Sequence, residues 1–331
     1  MIWLFVFLNF PENTTVTLEN RDVLSDLNPN RMGVAQDQTV VVCGPFTLYH
    51  FDLTDGKQIQ SFGTRGEGPN EYGNIKAAIW TGQHYVISDG RLLRTTVLDS
   101  QGHYLFSSHK FYKGFHVKNN RIFAISGDPI QQLIKDQPQT LIELKISDTE
   151  IVQVGEKFHK MSKASVDLGY NYTAQYLDSN VHFLFVMEEV NPSIGIYSKS
   201  SHQNVRSVQL QLPGFEPGGI LPNRFTAVSP NGFSRKDFLR WKFSWSRITG
   251  LVVYPTGFVI AYETPCAECV EESVKPNSRV VRLGLDGKII DQMDIRGYLI
   301  GGDETHFYSL LDWDDGTTKD PTYQIIGIKY E

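Results

Sequence analysis

Only three of the 331 residues are cysteine, too few for a disulfide-held scaffold. Cations are outnumbered, 31 Lys and Arg against 37 Asp and Glu, and the formal charge of −6 gives no electrostatic reason to expect a nucleic acid partner. A cation, a neutral ligand or a basic protein surface suits this balance better. The N-terminal apolar run, Ile2 to Leu8 in MIWLFVFLNFPEN, falls far short of the roughly 20 residues that span a bilayer, so no transmembrane span is expected. Its length matches the apolar part of an export signal, although no Lys or Arg precedes it and no clear small-x-small cleavage site follows. Residues 1–13 are read either as the remnant of such a signal or as a packed N-terminal segment. Also missing are HExxH, GxSxG, GxGxxG and GxxxxGK[ST], so no metalloprotease, hydrolase elbow or phosphate loop is indicated. Helical periodicity is almost absent.

What remains is a sequence that is 40% hydrophobic and 21% charged, enough for a large core in one all-β domain. Short β-branched and aromatic runs alternate with Gly, Asp, Asn and Ser turns. Tight turns recur at LTDGK 53–57, LDSQG 98–102, ISDTE 146–150, YSKSS 197–201 and LDGK 285–288. Most are spaced at about 40 to 50 residues, the interval of a four-stranded propeller blade, and one interval is nearly doubled. The second unit shows four strands plainly: KAAIW, HYVISD, RTTVLD and HYLFSS. Corresponding units are read at 33–62, 75–108, 115–155, 173–210, 249–295 and 298–330. The last is a strand short, and TTVTLEN at 14–20 is a strand without a blade. The expectation is therefore an all-β, six-bladed β-propeller with four-stranded blades. An N-terminal strand would complete the last blade and remove an open sheet edge. Residues 14–331 form one domain in this reading, with an insertion at about 213–247 between the fourth and fifth blades.

The stretch FGTRGEGPNEY, residues 62–72, carries Gly63, Gly66, Gly68 and Pro69 and ends on an aromatic. With no helix after it to supply an N-terminal dipole, it reads as a crossing from one blade to the next rather than a phosphate cradle. Residues 62–106 resemble an NHL repeat: a Gly-rich turn with proline ending in an aromatic, a strand, a V-x-D ending, an Arg, and a hairpin like F-D-x-x-G. Asn70 stands where the family has a second Gly, and Leu98 where an aromatic is common. The resemblance is skeletal in the other units. It implies a six-bladed NHL-like or TolB-like propeller of the bacterial kind, without implying one activity.

Loop length then separates the two faces of the ring. The connections between second and third strands include residues 127–138, 263–278 and 312–322, and they share a face with the insertion. Long connections on a rigid scaffold are where binding concentrates. Five of six blades place a carboxylate at the end of the second strand: Asp89, Asp128, Glu188 or Glu189, Glu263 and Asp312. These are candidate ligands for calcium or another divalent cation, or acceptors for turn N–H groups. In RKDFLRWKFSWSR, an extended chain would set Trp241, Phe243 and Trp245 on one side, with Arg240 and Lys242 free for anionic groups. A short helix at 234–243 would scatter them. Arg65 and Glu67 in the crossing complete the candidate ligand-binding set. Cys266 and Cys269 form a lone CxxC without the partners of a zinc site, a candidate disulfide if the protein is exported. His116, read as facing the channel, and Glu263 are the residues a metal-dependent hydrolase, lactonase or lyase would use. The preferred expectation is a non-catalytic, extracytoplasmic binding propeller that takes a protein, small-molecule or carbohydrate ligand on its long-loop face. A structural subunit of an assembly is a further alternative.

Overall fold

The computed structural model describes residues 14–18, 33–34, 38–127, 138–168, 173–218, 235–266, 268–269, 278–295, 297–302, 306–313 and 322–329. Six antiparallel four-stranded sheets follow one another around a ring. Blade 1 comprises Gly33–Val34, Thr39–Cys43, Leu48–Asp52 and Gln58–Phe62, and blade 2 Ile75–Trp80, Tyr85–Asp89, Arg94–Leu98 and Tyr104–Ser108. Blade 3 is built from Tyr112–Lys118, Arg121–Ser126, Gln139–Ile146 and Ile151–Lys160. Blade 4 contains Gln175–Ser179, Phe183–Glu188, Asn191–Ser198 and Asn204–Gln209, and blade 5 Arg247–Tyr254, Gly257–Glu263, Ser278–Gly284 and Ile289–Ile295. Blade 6 is formed by Gly297–Gly302, His306–Trp313 and Thr322–Lys329, with Thr14–Thr17 as its outermost strand.

Why these segments form strands is visible in their burial. Second strands such as Thr39–Cys43, Tyr85–Asp89 and Gly257–Glu263 are buried along their whole length. Successive side chains point to opposite faces of a sheet, and each face meets a different neighbour. Thus Tyr85 and Ile87 pack towards blade 1, while Val86 between them packs towards blade 3. Fourth strands have solvent on one side and alternate, as Gln58–Phe62 and Ile289–Ile295 do.

The core is accordingly split into wedges between adjacent blades. Phe185, Ile194, Phe258 and Ile260 fill the wedge between blades 4 and 5; Phe123, Phe158, Leu184 and Val186 fill that between blades 3 and 4. Ring closure has its own wedge, in which Val40, Val42 and Phe51 of blade 1 meet Ile300, Tyr308 and Ile325 of blade 6 together with Leu18. At about 1.5–3 kcal/mol for each large apolar side chain buried, such a wedge outweighs any single polar contact across the same gap. The N-terminal strand pairs antiparallel with Thr322–Lys329, from Thr14 opposite Gly327 to Thr17 opposite Gln324, as the sequence pattern anticipates.

The 62–72 stretch is the crossing from blade 1 to blade 2. Thr64–Arg65 pairs in parallel with Glu71–Tyr72, and the Glu71 carboxylate accepts the N–H groups of Glu67 and Gly68 at 2.9 and 2.8 Å. Arg94 donates to the carbonyls of Glu67, Gly68 and Glu71, fixing the loop from beneath. Gly63 has φ +91°, and a Cβ there would meet the Tyr72 ring at 2.6 Å.

Candidate functional site

Inner strands start at one end of the ring, so the second-to-third connections and the crossings between blades all emerge there. This is the long-loop face. The stretch between blades 4 and 5, which runs from Gln209 to Arg247, ends on it in a helix, α2 (Arg235–Lys242). A second helix, α1 (Lys163–Leu168), lies in the crossing from blade 3 to blade 4 and has no counterpart in the sequence reading.

Helix α2 corrects one expectation. Trp241 lies within the helix and Trp245 beyond it, so Trp241, Phe243 and Trp245 do not form an extended aromatic row. Trp245 is 4% exposed and packs on Leu168 and Val190, with Trp241 edge-on at 5.8 Å between ring centroids. Phe243 turns to cover the Arg247 guanidinium at 4.9 Å. The aromatics therefore roof the corner where blades 4 and 5 meet, and Arg240 stays exposed at the lip.

Beneath that roof lies a group of buried charges. Arg247, first residue of blade 5, stands opposite Glu263 in the ladder, and its guanidinium donates to the Glu263 carboxylate. Burial pushes the Glu263 carboxyl above its ordinary range, against the pull of Arg247 and Lys242. Burial likewise depresses the Lys242 ammonium, helped by Arg247 and opposed by Glu189 and Glu263. Glu189 accepts the Ala174 N–H at 2.8 Å, and its carbonyl accepts the N–H of Ile248, joining the two blades at this level.

The candidate metal ligands do not converge. Among the described residues no three His, Cys, Asp or Glu side chains gather as a metal site. Each described acid has another task. Asp89 accepts N–H bonds from Gly73, Asn74, Arg91 and Leu92, fastening the turn of its own blade. Glu188 lies 3.0 Å from His159 Nε2 and accepts from Ser162 and from Ser165 Oγ at 2.5 Å. Desolvation alone would raise its carboxyl; the bonds from His159, Ser162 and Ser165 outweigh it and hold the group below its ordinary range. Ser162 immediately precedes helix α1 and Ser165 lies within its first turn, and both hydroxyls donate to the Glu188 carboxylate. Asp128 lies outside the described residues. Asp312 is in a strand opposite Tyr323, with its side chain outside them.

His116 also moves from its expected place. It is the fifth residue of a seven-residue strand that starts at the long-loop face, so it sits near the opposite end of the channel from Glu263. Its Nε2 is 2.9 Å from Ser179 Oγ and 3.7 Å from Asp178, with Lys118 and Lys199 close by. Burial pushes the imidazole down to about 4, against the Asp178 charge and with Lys118 and Lys199. A hydrolytic centre combining His116 with Glu263 is therefore not assembled. Arg65 and Glu67 are exposed on the blade 1 to blade 2 crossing, Arg65 lying 5.5 Å over the Phe46 ring. Cys266 and Cys269 are joined in a disulfide, with Cα atoms 5.4 Å apart.

What the sequence does not reveal is a set of buried polar atoms without partners. Among the described residues, Thr173 Oγ1, Gln175 Oε1, Trp245 Nε1 and Thr249 Oγ1 are buried without a hydrogen-bond partner, as are Arg94 Nε and Arg282 Nε elsewhere in the ring; the Gln175 Nε2 group donates to Thr140 of blade 3. The first four belong to the long-loop ends of the neighbouring inner strands of blades 4 and 5, or to the residues just before them. Native interiors leave few such groups, and a concentration of them calls for water or a ligand. This corner supplies both donors and acceptors beside an aromatic roof and a half-buried lysine.

No family model and no curated protein matches the chain. Solved structures do. A DUF4221 family member from Bacteroides vulgatus is similar at TM-score 0.63 and 11% identity, covering 97% of this chain and 96% of the other. A protein described as a putative exported protein, from Bacteroides fragilis, is similar at TM-score 0.60 and 11% identity, with 96% and 95% covered. The β-propeller domain of Swd1 from a Myceliophthora fungus gives a lower TM-score, 0.46 at 10% identity, over 90% and 96% of the two chains. At these identities the first two share the fold of this chain, and nothing finer follows from them. No helix among the described residues is long and apolar enough to cross a membrane.

Proposed function

We propose that this protein is a non-catalytic binding propeller that receives a small polar ligand, of the hydroxyl-rich kind typified by a carbohydrate, at the blade 4–blade 5 corner of its long-loop face. The observation that carries this reading is that Thr173, Gln175, Trp245 and Thr249, at the long-loop ends of blades 4 and 5, each keep a buried polar atom without a partner among the described residues. Hydroxyl groups satisfy donors and acceptors alike, and a sugar ring has an apolar face for Trp241 or Phe243 to meet. Lys242 and Arg240 stand where an anionic substituent would be read. Arg65 and Glu67 lie on the same face but three crossings away, on the far side of the ring, and stand as a separate candidate surface. The blade grammar of residues 62–106, with Arg94 fastening a Gly-rich crossing, supports an NHL-like or TolB-like descent. An extracytoplasmic location in a bacterium is supported by the Cys266–Cys269 disulfide and by the similar fold of the Bacteroides fragilis protein described as a putative exported protein.

Titration calorimetry with a panel of oligosaccharides and short peptides tests the reading. A saccharide is expected to bind the wild type and to lose at least tenfold in affinity in Thr249→Val and in Trp241→Ala. Val181→Glu, on an exposed hairpin of the opposite face, leaves it unchanged. Binding that survives the first two changes and is lost in the third would place the site on the wrong face.

A further inference from the structure

The disulfide on the long-loop face has an asymmetry that a structural staple does not need. Cys269 is buried at 4% exposure, whereas Cys266, three residues earlier, is only half-buried. A cross-link between residues so close in sequence removes little freedom from the unfolded chain, because loop-closure entropy grows with the length of the loop closed. The local fold is secured by other means: the Cys266 N–H donates to the Phe243 carbonyl at 2.9 Å, and Arg247 bonds to Glu263 just upstream. The bond thus contributes little to holding the loop, and Cys266, unlike Cys269, keeps part of its surface towards solvent.

We infer that Cys266–Cys269 is an exchangeable disulfide, with Cys266 the sulfur attacked and Cys269 the leaving and resolving thiol, and that its substrates are thiols and disulfides of small molecules or unfolded protein segments. In the reductive direction an incoming thiolate bonds to Cys266 Sγ, the Cys266–Cys269 bond breaks, and its electron pair leaves on Cys269 Sγ, which takes up a proton. A second thiolate then attacks the incoming sulfur of the mixed disulfide. It releases an oxidised thiol pair and leaves Cys266 reduced. Two thiols are oxidised to one disulfide while one protein disulfide is reduced to two thiols, so electrons and protons balance. The reverse sequence makes the reduced pair a reductant of other disulfides. Exchange chemistry does not require a thioredoxin fold; it requires one sulfur on the more open residue and one on the sheltered residue, the difference that separates Cys266 from Cys269. The inference does not depend on the ligand corner.

Glutathione is the probe. The folded, oxidised protein is incubated in buffers of graded reduced and oxidised glutathione, desalted rapidly and alkylated at neutral pH without denaturant with a mass-tagged maleimide. Buried Cys43, at 0% exposure, reports unfolding by becoming labelled. Expected is full reduction of the Cys266–Cys269 pair at millimolar glutathione with Cys43 still protected. In Cys269→Ser, oxidised glutathione is expected to form an adduct on Cys266 at least tenfold faster than on Cys269 in Cys266→Ser. The wild-type titration carries the test even if a variant fails to fold. Reduction that occurs only together with Cys43 labelling, or equal adduct rates at the two positions, overturns the inference and makes the bond a staple.

Discussion

Asp178, on the inner strand of blade 4, accepts the backbone N–H of Val253 in blade 5 at 2.6 Å, while its other oxygen faces His116 and Lys118 of blade 3. One carboxylate thus ties three consecutive inner strands together. Asp178→Leu leaves the Val253 N–H, the Lys118 ammonium and the neutral His116 ring without their acceptor, and a loss of about 2–4 kcal/mol is expected. The urea midpoint at pH 7 measures it. Asp178→Asn keeps one acceptor oxygen and should lose about half as much.

The pH profile of stability should carry the signature of His116. Its folded-state value is depressed from 6.5 to about 4. Below pH 6.5 the unfolded chain therefore takes up a proton that the folded protein refuses. Stability falls as pH drops from about 6.5 to about 4, by on the order of 3 kcal/mol, and this contribution levels off below. His116→Gln should flatten that limb of a urea-midpoint series between pH 4 and 7. A limb of unchanged slope in the variant would assign it to other groups.

At the ligand corner, Arg247→Met removes the cation facing a buried carboxylate. Glu263 is then uncompensated, at an expected cost of about 3–5 kcal/mol at neutral pH. The deficit should shrink as pH falls and the carboxyl takes up a proton. The double variant Arg247→Met, Glu263→Gln should recover a large part of the loss, because no bare charge remains. Thermal unfolding of the four proteins in a double-mutant cycle gives the coupling.

Two glycines with similar backbone angles separate strain from crowding. Gly82 has φ +88° and open space where a Cβ would go; Gly63 has φ +91° and the Tyr72 ring and Phe46 carbonyl within 2.7 Å of that point. Gly82→Ala is expected to cost about 1 kcal/mol, the price of the left-handed conformation alone. Gly63→Ala must also displace a buried tyrosine and should cost at least about 2 kcal/mol more. Chemical denaturation at one pH resolves the pair.

The ring was legible because its signals are local. Four-strand grammar, turn chemistry every blade and an orphan strand at Thr14 are all readable within windows of ten residues. The insertion was harder. Trp241, Phe243 and Trp245 alternate as a strand would, yet the eight residues from Arg235 to Lys242 are helical and bring Trp241 against Trp245 beside Leu168. His116 is read as a channel-facing residue of an inner strand, and counting five residues along that strand from the long-loop face shows that it stands away from the acids that end the second strands. The partners of Glu188 and Asp178 were beyond reach. Ser162 is 26 residues from Glu188 and Val253 is 75 from Asp178, and only the apposition of separate blades brings them together. Buried atoms lacking partners are invisible to any reading of sequence, since they are defined by what the fold fails to supply.

The borrowed strand at Thr14–Thr17 fixes how the molecule can be moored. Among the described residues it pairs with Thr322–Lys329 on the outer rim of blade 6. Thr14 stands opposite Gly327, at the end away from the long loops, so a tether joined at Thr14 would leave the long-loop face turned outward.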